Sequence, residues 1–64
     1  MSIAANIRAA RISAGLSQQD LARRLGLNQS QVSRIERGMR KVAAEELSEI
    51  AKSLGVTASD LLYR

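Results

Sequence analysis

The chain has 64 residues, room for one domain with a narrow stability margin, because a chain of this size buries only about 60% of its unfolded surface. It has no Cys and no His, which excludes a disulfide framework, the usual zinc sites and His-based acid/base catalysis; six scattered carboxylates are poor material for an enzyme, and no cofactor is expected. Ten Lys and Arg, eight of them Arg, stand against six Asp and Glu for a formal charge of +4, which favours anionic partners, and Arg suits bidentate contacts with phosphate or guanine.

Glycines punctuate the chain and no proline interrupts it. Ser2 or a neighbour opens a first helix whose apolar stripe, Ile3, Ile7, Ala10 and Ala14, recurs at i, i+4, i+7 and i+11, and Gly15 ends it with a left-handed residue. Leu16 then turns inward. Ser17 caps a second helix, Gln18 to Leu25, with Asp20 three residues on as a capping-box variant; Leu21, Ala22 and Leu25 gather on one face. Gly26 breaks it. Asn28 caps a third helix that starts at Gln29, with Gln31 able to reach back to the cap's N–H, and Gly38 ends it after Arg37. Two short amphipathic helices round a one-glycine corner are how a helix-turn-helix reads in sequence.

A short basic connection, Met39 to Val42, leads to a fourth helix with Leu47, Ile50, Ala51 and Leu54 at i, i+3, i+4 and i+7. Its start is weakly marked. No Ser, Thr, Asp or Asn precedes Ala43, although Glu45 and Glu46 favour a helix N-terminus electrostatically. Gly55 closes it, and Thr57 with Asp60 opens a fifth, Ala58 to Tyr63, carrying Leu61 and Leu62. The expected fold is all-α: five helices round a small aliphatic core, one domain over 1–64, with Tyr63 the only aromatic.

At roughly 100° per residue, the surface of the third helix divides in two. Val32 and Ile35 fall on one side. Gln29, Ser30, Ser33, Arg34 and Arg37 fall within an arc of roughly 140° on the other, with no acidic residue among them. Gln, Ser and Arg match the donors and acceptors of base edges in the major groove, and guanidinium groups attract phosphates; a plain solvated surface would also look like this. Two charges break the pattern. Arg11 lies on the apolar stripe of the first helix, and Glu36 lies beside Val32 and Ile35. Pairing them is economical, since a buried lone charge is costly, but each could also reach water independently.

The chain resembles the lambdoid phage repressor and Cro type of helix-turn-helix regulator. The resemblance covers essentially the whole sequence and is carried by Leu16-Ser17-Gln18, Leu21-Ala22, Gly26, Val32-Ser33, Ile35-Glu36 and Gly38, then by Leu47, Ala51 and Leu54-Gly55-Val56. It implies that Arg11 and Glu36 pair, as their counterparts do. It implies base contacts from Gln29, Ser30, Ser33 and Arg34, and phosphate contacts from Gln18, Asn28, Arg37, Arg40 and Lys41. Ser30 and Ser33 are shorter than the Gln or Glu often found there, so base contacts at those places are expected to be water-mediated or absent.

The function this implies is a sequence-specific regulator of transcription, repressor or activator, that binds double-stranded DNA as a homodimer on a roughly palindromic operator. Leu62 and Tyr63 are a candidate dimer patch, with Tyr63 as a lid on the core the alternative. A competing reading is an antitoxin-like or adaptor module that uses the same fold to bind a protein partner. No apolar run approaches the ~20 residues of a membrane span and no signal-peptide pattern opens the chain, so a cytoplasmic, bacterial or phage-encoded protein associated with the nucleoid is expected.

Overall fold

Side chains at the helix starts decide where the backbone turns helical. The computed structural model describes residues 2–63, and these form α1 (Ile3–Ser13), α2 (Gln18–Leu25), α3 (Gln29–Glu36), α4 (Ala44–Leu54) and α5 (Ala58–Tyr63), with no strand among the described residues. Ser2 Oγ accepts from the Ala5 N–H at 3.1 Å. Reciprocal pairs open α2, α3 and α5. Ser17 and Asp20 exchange two bonds of 3.0 Å, Asn28 and Gln31 bonds of 2.9 and 3.0 Å, and Thr57 and Asp60 bonds of 3.1 and 3.0 Å. Each pair satisfies two N–H groups that a helix start leaves without partners. α4 begins at Ala44, and its cap residue Ala43 makes no side-chain cap bond.

Gly26 ends α2 in the left-handed region at φ +68°, and the Leu27 N–H reaches back to the Ala22 carbonyl at 2.9 Å. An L side chain there would be strained, and the corner it makes separates α2 from α3 by three residues. Two boundaries differ from the sequence reading. Ala14, expected on the inward stripe, is exposed because α1 stops at Ser13 and Ala14 is its C-cap; the inward side continues through Arg11 to Leu16. Arg37 is the C-cap of α3 and not its last helical residue.

The core is aliphatic and drawn from every helix: Ile7 from α1, Leu21 from α2, Val32 and Ile35 from α3, Ile50 from α4 and Leu61 from α5 are each at most 2% exposed. Full burial of such side chains stabilises by about 1.5–3 kcal/mol apiece. α1 is the central post, packed on α3, α4 and α5, while α2 lies against both α3 and α4. Two polar contacts across the core edges were not anticipated. Asn6, 2% exposed, donates Nδ2 to the Leu61 carbonyl at 2.8 Å, meeting a carbonyl that the end of α5 leaves open. Arg24 Nη1 donates to the Ser53 carbonyl at 2.9 Å and does the same for the last turn of α4.

Candidate nucleic-acid interface

The amphipathic division of α3 survives into the folded chain. Val32 and Ile35 are buried, Gln29, Ser30, Arg34 and Arg37 are exposed, and Ser33 is half-buried between them. With Gln18 at the start of α2, these five polar residues line one open hollow of about 300 Å³. No carboxylate lines it. The hollow offers amide, hydroxyl and guanidinium groups, which is the chemistry that meets base edges and phosphates.

Beneath it lies a charged anchor. Arg11 donates Nε to Glu36 Oε2 at 2.6 Å and Nη2 to Glu36 Oε1 at 3.0 Å, while its Nη1 reaches the Leu16 carbonyl at 2.8 Å. The Glu36 side chain is 1% exposed and that of Arg11 10%. Both charges are thus neutralised by a bidentate partner, which is what makes their burial tolerable. Gln18 joins this anchor to the hollow by donating Nε2 to Glu36 Oε1 at 3.2 Å. A carboxylate only accepts, so the orientation of the Gln18 amide is set, leaving its second N–H and its Oε1 for other partners.

The remaining expected phosphate contacts are not gathered with these. Asn28 is exposed at the start of α3 with its Oδ1 engaged in the cap, and Lys41 is exposed beyond the end of the helix. Arg40 is held by Glu46, Nη1 to Oε1 at 3.1 Å and Nη2 to Oε2 at 2.9 Å. Spacing gave no sign of that pairing, because it spans six residues across an irregular connection. Near α2's start, the Ser17 backbone N–H first, then its side chain, with Arg23 and Arg24 nearby, holds the Asp20 carboxyl below its ordinary 3.8. At the end of α5, Tyr63 is 83% exposed and is no lid; Leu61 seals the core, and Leu62 is 39% exposed.

The helix-turn-helix family model HTH_3 matches residues 7–61, a span that holds Arg11, α2, the Gly26 corner, α3 and Glu36. The chain belongs to the helix-turn-helix family. An HTH-type transcriptional regulator of Mycobacterium tuberculosis named Rv0474 is 45% identical over 58 residues, which are 91% of this chain and 41% of the relative. This helix-turn-helix chain therefore spans about two fifths of that protein's length. The crystal structure of SinR, a master regulator of biofilm formation, in complex with DNA matches with a TM-score of 0.85 at 30% identity, covering 94% of this chain and 97% of that one. The P22 c2 repressor bound to a synthetic operator matches with a TM-score of 0.87 at 25% identity, over 98% and 96% of the two chains.

The fold is that of a repressor's DNA-binding domain, and the family is one of DNA-binding transcriptional regulators, not an enzyme class. No helix among the described residues is long and apolar enough to cross a membrane.

Proposed function

We propose that this chain, bacterial or phage-encoded, binds double-stranded DNA in a sequence-specific manner, as a homodimer on a pseudo-palindromic operator, and regulates transcription from it in association with the nucleoid. The observation that carries the reading is the carboxylate-free hollow in which Gln18 of α2 meets Gln29, Ser30, Ser33, Arg34 and Arg37 of α3. In a helix-turn-helix the second helix enters the major groove, so α3 brings Gln29, Ser30, Ser33 and Arg34 to base edges while Gln18, Asn28, Arg37 and Lys41 flank the backbone. SinR and the P22 c2 repressor, which share this fold, are each solved on DNA.

Selection of bound sequences from random duplexes, followed by titration from low to moderate salt, tests it. The expected result is a two-fold symmetric site, two chains per duplex, and log affinity falling linearly with log salt, the slope dropping by about one for each contacting cation removed. A flat salt response, or no enriched sequence, would overturn the reading.

A further inference from the structure

Three of the four reciprocal starts that this fold could have made are closed locally, and the fourth is not. The third helical residue of α2, α3 and α5 is Asp20, Gln31 and Asp60, and each side chain accepts from the backbone N–H of its own cap residue at 3.0 Å. The equivalent residue of α4 is Glu46. Its cap, Ala43, has no side-chain oxygen to offer, and Glu46 instead takes both Nη groups of Arg40. The pair is neither buried nor free in water, with side chains 32% and 24% exposed. Arg40 lies in the same connection as Lys41, one turn of chain beyond Arg37, where the proposed interface would meet the backbone of DNA.

We infer that Glu46 is an affinity-limiting residue: by neutralising Arg40 in a bidentate pair, it keeps that cation out of the set that replaces DNA counterions. The inference rests on the DNA-binding reading above. A guanidinium already matched to a carboxylate at 2.9 and 3.1 Å gains little by exchanging it for a phosphate, since each partner carries one negative charge and offers two oxygens to the guanidinium fork. Arg34, Arg37 and Lys41 have no such carboxylate among the hydrogen bonds and ion pairs of the described residues. Glu46 thus sets how many cations the region between α3 and α4 presents.

The test is Glu46→Gln, measured on duplex DNA across salt beside Glu49→Gln, an exposed residue of α4 that makes the same change in net charge, and beside the double variant Arg40→Gln with Glu46→Gln. Freeing Arg40 should steepen the salt slope of Glu46→Gln by about 0.9 relative to both, so that its advantage over the double variant shrinks by about 3.5-fold between about 50 and 200 mM salt. Circular dichroism melts establish that each variant is folded at the assay temperature. A slope equal to that of Glu49→Gln, or weaker binding than the wild type, would overturn the inference while leaving DNA binding intact. Loss of salt-dependent binding in the wild type itself would instead overturn the reading on which it rests.

Discussion

Glu36 accepts from Arg11 on both of its oxygens, at 2.6 and 3.0 Å, so one ion pair ties the first helix of the fold to the end of α3. Removing either residue alone leaves a buried charge without its partner and should destabilise by about 3–5 kcal/mol, whereas replacing both with apolar residues of similar volume should cost much less. Thermal melts of Arg11→Met, Glu36→Leu and the double variant decide between this and independence; additive losses would mean that the two side chains act separately.

Asn6 makes a second prediction. Asn6→Ala leaves the Leu61 carbonyl without its donor inside the core, and the loss should be about 1–3 kcal/mol in urea denaturation. Because the bond joins α1 to α5, amide exchange should quicken most in α5. A variant with uniform exchange changes would show that Asn6 serves the whole core and not that junction.

Acid should act on the start of α2. The Asp20 carboxyl is held below its ordinary 3.8 by the Ser17 backbone N–H first, so the folded state binds its proton less readily than the unfolded chain. Its contribution is therefore present above the ordinary carboxylate range and disappears as pH falls through the lower folded value. The gap in Tm between the wild type and Asp20→Asn should close as pH drops from about 6 to about 2. A gap that stays constant over that interval would exclude this origin.

Specificity should separate from attraction within α3. Gln29 stands at the N-terminal end of the helix, where its amide can both donate to and accept from adenine, and Gln29→Ala should cost about 1–3 kcal/mol on the preferred site with little change on random duplex. Arg34→Ala distinguishes two roles for that residue. Equal weakening on both DNAs makes Arg34 a phosphate contact; selective weakening makes it a base reader. Equal weakening by Gln29→Ala would mean that α3 does not lie in the groove as proposed.

The helices were legible because their starts and stops are local chemistry. Ser17 with Asp20, Asn28 with Gln31 and Thr57 with Asp60 announce three starts within four residues each, and the Gly26 corner needs no partner elsewhere. The division of α3 followed from periodicity alone. What escaped depended on partners that no pattern brings near. Asn6 bonds a backbone carbonyl 55 residues away, and Arg24 bonds one 29 residues away, so neither has a side-chain complement to betray it. Glu46 was read as a charge suited to a helix N-terminus, which it is, but its side chain answers to Arg40 across the connection. Ala14 matched the stripe by spacing and missed it by geometry, one residue past the last helical turn.

The two faces of α3 have separate duties. Val32, Ile35 and Glu36 secure the helix from inside, and Gln29, Ser30 and Arg34 stand in water without touching that work. Exchanging the outward residues therefore leaves the buried contacts in place, and on the proposed reading a change of preferred site should alter stability by no more than about 0.5 kcal/mol. Such a helix is a mount on which the lettering can be replaced. If α3 reads DNA as proposed, substitutions at a handful of exposed positions should redirect it while the parent's stability is largely kept.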